Sequence, residues 1–149
     1  MQLQYYGESN MGLVRKNNED AWGMLPELNL FICCDGMGGH AAGEVASQMT
    51  VEEIKRVVQD NQEMVNQYLA EGDKSGFSKH DIRKLLEQAV QSACIKVYLE
   101  AQQDDAKRGM GTTCDVLLIT PEIGFIAHVG DSRVYLERSA KIQIGRAHV

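Results

Sequence analysis

The sequence predicts an α+β domain with a mainly antiparallel sheet and helices packed on the outside. Two short strand-like segments and a longer apolar run come first, two long amphipathic helices follow, and a series of strand-like segments ends the pattern. A strict alternation of strands and helices, which would indicate a parallel sheet, is absent. The 149 residues are enough for one domain with a sizeable core.

The N-terminal half of the chain is predicted to hold three strands and the first helix. Residues 2–7 and 21–25 have the composition of short strands, and the continuous apolar run at residues 28–34 indicates a strand buried on both faces. Three glycines within residues 36–39 end this run. From about His40 onward, apolar residues recur on one face at helical spacing, so we expect a helix there.

The C-terminal half is predicted to hold a second helix followed by strands joined as hairpins. After a loop at residues 71–76, Ser78 and Asp81 form the pattern of a capping box, and the apolar residues that follow keep helical spacing. A break at residues 107–111 follows this helix. The next three strands are predicted at residues 112–119, 123–129 and 133–137. Residues 130–132 are predicted to form a hairpin turn between the last two of them.

Composition and charge exclude several classes of function. Lys and Arg number 15 and Asp and Glu number 21, so the net charge of −6 argues against a nucleic-acid-binding protein. No apolar run approaches the roughly 20 residues that span a bilayer, and the first residues lack the pattern of a secretory signal. The four cysteines contain no C-x-x-C pair. We therefore expect reduced, buried thiols, with Cys33 and Cys34 behaving as small hydrophobes in their apolar run. We also expect a cytoplasmic location and no membrane segment in these residues.

Three polar clusters interrupt the apolar framework, at residues 15–20, 35–40 and 130–133. In the second cluster, Asp35 ends an apolar strand, where an unpaired carboxylate is costly and a divalent cation would offset the cost. Gly36 has no Cβ and would let a backbone carbonyl approach the same ion. The alternative is that Asp35 begins a turn or caps the next helix.

The first cluster supplies two more carboxylates and a guanidinium group. Glu19 and Asp20 could share hard divalent ions with Asp35 through oxygen ligands and water, as Mg²⁺ or Mn²⁺ prefers. Arg15 could bind a phosphate dianion beside them. Two ions bridged by one carboxylate would lower the pKa of a bound water and polarise a phosphoryl group. Taken alone, this cluster is also what a solvated loop contains, and Asp131 in the third cluster is typical of a hairpin turn.

Four segments of the chain together resemble a known family. They are SNMGLVRKNNEDAWG at residues 9–23, LFICCDGMGGHAAGEVAS at 30–47, GMGTTCDVLLI at 109–119 and AHVGDSRVYL at 127–136. In this order and spacing they resemble the PP2C, or metal-dependent (PPM), protein Ser/Thr phosphatases in their bacterial form. The resemblance extends to about Glu137. It implies a central antiparallel β-sandwich flanked by antiparallel helices, and hydrolysis of phosphoserine and phosphothreonine in proteins.

The resemblance also implies cofactors and roles for individual residues. Arg15 would bind the substrate phosphate. Asp35 would bridge two Mn²⁺ or Mg²⁺ ions, and Gly36 would coordinate through its carbonyl oxygen. Glu19 and Asp20 would be one direct and one water-mediated ligand, with Glu19 the direct one.

Two further residues receive roles from the same resemblance. Asp131 would lie beside the metals and help to hold a third ion. His40 is the candidate general acid, because an imidazolium could protonate the leaving-group oxygen. Eukaryotic members carry a His directly after the Asp-Gly pair, where this chain has Met37. The alternative for His40 is therefore a histidine at a helix start without a catalytic role.

The family pattern continues past the last residue of this chain. Two further aspartate motifs are expected downstream, so we interpret residues 1–142 as the N-terminal part of an incomplete phosphatase domain. Residues 143–149 can be back-translated into the start of a widely used sequencing adapter, which predicts a non-native tail. Without the distal metal-ligand aspartates, we expect the fragment itself to be weak or inactive and prone to aggregation.

Other functions stay open on the sequence. A non-catalytic phosphoprotein- or metal-binding module would keep the fold without turnover. Gly36, Gly38 and Ala41 also fit a loose dinucleotide-binding fingerprint, but no second strand ending in an acid follows about 20 residues later. The expected partners are phosphoprotein substrates and, in bacteria, a Hanks-type Ser/Thr kinase whose reactions would be reversed. A related hypothesis is a regulatory phosphatase that opposes an anti-sigma-factor kinase.

Overall fold

The computed structural model describes residues 2–38 and 42–145, and these form the predicted α+β architecture. The strands are β1 (Asp20–Leu25), β2 (Leu30–Met37), β3 (Gly111–Thr112), β4 (Cys114–Ile119), β5 (Gly124–Val129), β6 (Val134–Arg138) and β7 (Lys141–Gly145). The α-helices are α1 (Ala42–Asp60), α2 (Gln62–Glu71) and α3 (Lys79–Gln103). Short 3-10 turns follow β1, α2 and α3.

Two antiparallel sheets contain these strands. In the larger sheet the order is β1-β2-β4-β5, and the short β3 pairs with the end of β2. The register of β1 and β2 places Asp20 directly opposite Asp35. β6 and β7 form the second sheet. This sheet packs on β5, since a Cβ added at Gly145 would lie 2.5 Å from Cδ1 of Ile126.

The larger sheet has two unlike faces. Along β2, the even-numbered residues are buried and the odd-numbered residues are partly or fully exposed. The even side packs against the helices, and we call it the helix face; its members on β2 and β4 include Leu30, Ile32, Cys34, Val116 and Leu118. We call the opposite side the acidic face; it carries Asp20, Trp22, Cys33, Asp35, Asp115 and Leu117. The expectation that β2 is buried on both faces is wrong, because its odd-numbered side chains point away from the helices.

The helices α1 and α3 run antiparallel over the helix face. Ala42 and Ala46, in the first turns of α1, share an apolar cluster with Val97 and Ala101 near the end of α3. Farther along α1, contacts shift toward earlier residues of α3, which is the order that antiparallel helices require. This layer keeps the helix face of the sheet away from water.

A buried carboxylate, Glu53, joins the two helices. Glu53, on α1, is 4% exposed, and its carboxylate accepts hydrogen bonds from Ser92 at 2.7 Å and Lys96 at 3.0 Å on α3. Arg56, one turn away on α1, donates two more. The bonds from Arg56, opposed by burial and aided by Ser92 and Lys96, lower the pKa of Glu53 to about 2.

Local signals explain where the helices begin and end. The predicted capping box is confirmed: Ser78 accepts the N–H of Asp81, and the Asp81 carboxylate accepts the N–H of Ser78 at 2.7 Å. That backbone hydrogen bond lowers the pKa of Asp81. The first predicted helix is divided into α1 and α2, because the side chain of Asn61 donates to the carbonyl of Val57 at 2.8 Å and caps the last turn of α1.

Several strand predictions require correction. Residues 2–7 form no regular strand; instead, Tyr5 packs its ring on Phe31 at a centroid distance of 5.7 Å. The strand expected at residues 112–119 is interrupted at Thr113, whose hydroxyl oxygen accepts the N–H of Asp35. Residues 130–132 close no hairpin, because β6 pairs with β7 rather than with β5, and β7 was not predicted.

The four cysteines lie in unlike environments. All four cysteines are free. Cys33, expected to behave as a buried hydrophobe, is exposed, whereas Cys34 is buried. Within residues 2–38 and 42–145, no helix has both the length and the hydropathy needed to cross a bilayer.

Candidate metal centre

The pairing of β1 and β2 brings two predicted metal ligands together. Asp20 is the first residue of β1 and lies directly opposite Asp35, so both side chains are on the acidic face. Directly opposed residues of an antiparallel pair have Cβ atoms about 4.5–5.5 Å apart. Two carboxylates at that spacing repel each other unless a proton or a cation lies between them.

The electrostatics of Asp20 reflect this repulsion. Burial raises the pKa of Asp20, the neighbouring Asp35 carboxylate raises it further, and Arg15 opposes both effects. A carboxyl group in this situation would gain from a divalent cation, which neutralises both charges at once.

Most of the predicted site residues line a small polar cavity of about 220 Å³. Among its lining residues are five of the predicted ones, namely Arg15, Glu19, Asp20, Asp35 and Gly36. The described residues that line the cavity do not include Asp131, which lies in the exposed loop between β5 and β6. His40 lies outside the described residues. The roles of Asp131 and His40 therefore stay predictions.

The backbone of Glu19 is fixed from two sides. Its carbonyl oxygen accepts the N–H of Gly36 at 3.1 Å and the hydroxyl of Ser47 at 2.6 Å. The start of α1 approaches β2 closely, since a Cβ at Gly36 would lie 2.2 Å from the carbonyl oxygen of Gly43. A Cβ at Gly43 would lie 3.0 Å from the carboxyl carbon of Glu19. Glycine at these two positions is therefore what lets the strand, the helix and Glu19 meet.

Thr113 ties β2 to the loop that carries Asp131. Its hydroxyl oxygen accepts the N–H of Asp35 at 2.9 Å, and its own N–H donates to the carbonyl of Asp35, also at 2.9 Å. The same hydroxyl lies 2.7 Å from the hydroxyl of Ser132. Gly130 allows this approach, because its φ is +105° and a Cβ there would lie 2.7 Å from Cγ2 of Thr113.

Sequence reasoning missed Ser47, Thr113 and a partly buried pair formed by Asp115 and His128. Asp115 and His128 lie opposite each other on β4 and β5, with Oδ1 and Nδ1 2.5 Å apart. A hydroxyl on the apolar side of α1 was a signal that could have found Ser47, since such a group needs a partner when buried. The sequence offered no comparable signal for the Asp115–His128 pair, which depends on strand register.

Residues 14–144 match the sequence pattern of a family described as protein phosphatase 2C. The chain belongs to the protein phosphatase 2C family. It is 34% identical over 140 residues to the serine/threonine protein phosphatase PstP of Mycobacterium tuberculosis. The aligned region covers 94% of this chain and 24% of PstP. It is 33% identical over 134 residues to the protein phosphatase PhpP of Streptococcus pneumoniae, covering 87% of this chain and 48% of PhpP. The chain thus spans about a quarter to a half of these relatives' length.

Solved structures of protein phosphatase 2C members have the same fold. A crystal structure of the Mycobacterium tuberculosis phosphatase PstP superposes with a TM-score of 0.74 at 31% identity, over 92% of this chain and 51% of that one. The PstP catalytic domain in complex with two manganese ions gives a TM-score of 0.73 at 31% identity, over 92% and 52% of the two chains. These comparisons confirm the resemblance and the fold class expected from the sequence.

The oxygen donors in the cavity have the chemistry that a hard divalent cation requires. Carboxylates and backbone carbonyls are the ligands of Mg²⁺ and Mn²⁺, and Asp20, Asp35 and Gly36 offer both kinds. Among the described residues, no three His, Cys, Asp or Glu side chains are grouped closely enough to hold a metal ion. The described part of the chain therefore supplies a pair of carboxylates suited to a cation rather than a complete set of side-chain ligands.

Proposed function

We propose that this chain is part of a metal-dependent phosphatase that hydrolyses phosphoserine and phosphothreonine in proteins. The observation that carries the proposal is the opposition of Asp20 and Asp35 in a cavity that Arg15 also lines. The names of the relatives PstP and PhpP, both protein phosphatases, support the same reaction.

The acidic residues would hold the metal ions. Asp35 would bridge two Mn²⁺ or Mg²⁺ ions, with the carbonyl of Gly36 as a further ligand, Glu19 as a direct ligand and Asp20 as a water-mediated one. Two manganese ions in the PstP structure support this assignment. Bound ions would supply a water of lowered pKa and polarise the phosphoryl oxygens. Asp131 is the candidate for holding a third ion.

Arg15 would bind and orient the substrate phosphate. Its side chain is exposed and lines the cavity beside the two aspartates. Within the described residues it forms no ion pair, so its guanidinium donors are available to a phosphate dianion. His40 is the candidate general acid for the leaving-group oxygen.

Titration of the chain with Mn²⁺ tests the metal assignment. We expect Asp35→Asn to weaken Mn²⁺ binding by more than the roughly 10–100-fold that loss of an outer-shell partner costs. Asp105→Asn is the matched control, because Asp105 has a side chain 97% exposed in the turn after α3. Equal affinity of Asp35→Asn and Asp105→Asn would contradict the metal assignment.

A phosphothreonine peptide tests catalysis and phosphate recognition. Mn²⁺-dependent release of phosphate that Asp35→Asn abolishes is the expected signature, even if turnover by this length of chain is slow. Arg15→Ala should raise the KM for the peptide, whereas Arg108→Ala, which removes another exposed cation far along the chain, should not. Mn²⁺ and peptide binding without any phosphate release would favour the alternative, a non-catalytic phosphoprotein-binding module of the same fold.

The substrates and the setting follow from the same proposal. The substrates would be phosphoproteins, and in a bacterium a Hanks-type Ser/Thr kinase would supply them by phosphorylating the same sites. A cytoplasmic location is the setting in which such substrates and the four free thiols are found together.

A further inference from the structure

We infer that Ser47 is a positioning residue for the metal centre: its hydroxyl holds the Glu19–Asp20 segment at a fixed distance from the Asp35–Gly36 segment. The inference rests on the proposed metal site and adds a residue of α1 that touches neither metal nor substrate. Ser47 is fully buried, and its oxygen lies 2.6 Å from the carbonyl oxygen of Glu19.

The hydroxyl of Ser47 has two carbonyl oxygens within reach and only one hydrogen to donate. The carbonyl of Glu44, one turn earlier on α1, is at 3.1 Å and is the usual acceptor for a serine in a helix. The carbonyl of Glu19, 28 residues away in sequence, is at the shorter distance of 2.6 Å. The geometry therefore assigns the donated bond to Glu19, across elements, rather than to the helix itself.

One oxygen atom thereby connects three elements. The carbonyl of Glu19 receives the hydroxyl of Ser47 and the N–H of Gly36, which satisfies both of its lone pairs. Glu19 and Gly36 belong to the two acidic segments, and Ser47 belongs to α1. Without the hydroxyl, Glu19 would be tied to β2 alone, and its segment would be free to shift against the start of α1.

The first turn of α1 restricts the direction of the Glu19 carboxylate. A Cβ at Gly43 would lie 3.0 Å from both the carboxyl carbon and Oε2 of Glu19, so the side chain passes directly over the first turn of α1. A shift of the Glu19 backbone would move this carboxylate and, through the next peptide bond, the start of β1 with Asp20. Outer-shell hydrogen bonds of this kind set metal affinity because they fix the directions of the ligands.

The test compares Ser47→Ala with Ser92→Ala in the complete 149-residue chain. Ser92 donates a hydrogen bond of 2.7 Å to the buried Glu53 on α1, so its removal costs a comparable interaction away from the metal centre. Free Mn²⁺ would be followed by its electron paramagnetic resonance signal during titration. We expect about a tenfold loss of Mn²⁺ affinity in Ser47→Ala and less than a twofold change in Ser92→Ala.

A metal-free measurement separates this inference from the proposed function. In Ser47→Ala without metal, the amide hydrogen of Gly36 should exchange faster with solvent, while that of Gly36 in Ser92→Ala should not change. If the unsubstituted chain fails to bind Mn²⁺, the proposed metal site is wrong, and the positioning role is wrong with it. If the unsubstituted chain binds Mn²⁺ but Ser47→Ala matches Ser92→Ala in affinity, only the positioning role is wrong. Unchanged exchange at Gly36 in Ser47→Ala would also overturn it.

Discussion

The two faces of the larger sheet are made by the same strands and differ in almost every physical property. On the helix face, Leu30 and Leu118 are fully buried in a cluster of aliphatic, aromatic and thiol side chains. On the acidic face, Phe31 and Leu117, one residue along each strand, line a groove of about 680 Å³ that Asp35 also lines. Because side chains alternate along a strand, the two environments are separated by the thickness of a single backbone.

This difference places apolar packing on one face of the sheet and the candidate metal site on the other. Apolar burial on the helix face holds β2 in place, which lets the opposite face keep Asp20 and Asp35 close together despite their repulsion. The same register that buries Cys34 therefore sets the position of Asp35. Five measurements sharpen or break this comparison.

The largest expected effect comes from truncating one leucine on each face. Leu118→Ala should lower the free energy of unfolding by about 3 kcal/mol, because it leaves a cavity in a fully buried position. Leu117→Ala, one residue earlier and half-buried on the acidic face, should cost about 1 kcal/mol. Urea unfolding of both variants measures the difference. Equal losses would mean that the two faces contribute equally to stability.

A second test concerns Glu53, the buried carboxylate that joins α1 to α3. Glu53→Gln should lower the free energy of unfolding by about 2 kcal/mol, because Arg56 and Lys96 lose a charged acceptor. The same variant should leave Mn²⁺ affinity unchanged, since Glu53 does not line the metal cavity. A loss of Mn²⁺ affinity together with stability would show that the two faces are coupled through α1.

The pH dependence of stability follows from the same carboxylate. The pKa of Glu53 is about 2 in the folded protein against an ordinary value of 4.5, so its contribution is fully present above pH 4.5. It is lost as the pH falls from 4.5 toward 2, because the unfolded chain then binds a proton that the folded chain does not. The shift corresponds to roughly 3 kcal/mol at most. Glu53→Gln should flatten the unfolding free energy over this window, and an unchanged pH profile would contradict the assignment.

A smaller effect of opposite sign is expected on the acidic face. Burial and Asp35 raise the pKa of Asp20, so its ionised form destabilises the metal-free fold at neutral pH. Asp20→Asn should therefore raise the free energy of unfolding without metal, by less than about 1 kcal/mol because the side chain is exposed. With Mn²⁺ present the gain should disappear. A loss of stability in the metal-free variant would mean that Asp20 is not under electrostatic strain.

The last test probes the two faces chemically without changing either. Cys33 and Cys34 are adjacent but lie on opposite faces, and only Cys33 is exposed. Burial and the Asp115 carboxylate raise the pKa of Cys33, which slows its reaction. A thiol hydrogen bond with Cys114, together with burial, raises the pKa of Cys34. N-ethylmaleimide followed by mass spectrometry should modify Cys33 slowly and Cys34 only after unfolding. Similar rates for the two thiols would contradict the assigned faces.

The parts of the fold that local patterns determine were predictable from the sequence. The capping box at Ser78 and the amphipathic face of α3 depend on residues within a few positions of one another, and both predictions are confirmed. The break between α1 and α2 was missed because it depends on one side-chain hydrogen bond from Asn61, which the apolar spacing does not reveal.

Pairings between distant segments were less predictable. The turn at residues 130–132 has hairpin composition, yet Ser132 turns toward Thr113 and the chain continues into the second sheet. For the candidate site, the motifs located the acidic residues that line the cavity. The hydroxyls that fix their backbones, from Ser47 and Thr113, become apparent only when the register of the strands and the position of α1 are known.

The backbone contact between Gly36 and Gly43 has a consequence for how this domain changes over evolutionary time. A Cβ at Gly36 would lie 2.2 Å from the carbonyl oxygen of Gly43, and a Cβ at Gly43 would lie 3.0 Å from the carbonyl carbon of Gly36. Both contacts would arise whether or not the protein works as an enzyme. In the proposed function, Asp35 would contribute only its side chain to the metal site. A descendant that no longer bound metal could replace Asp35, but the same close contacts would still favour both glycines. Such a descendant would be recognised by two retained glycines beside a substituted acid.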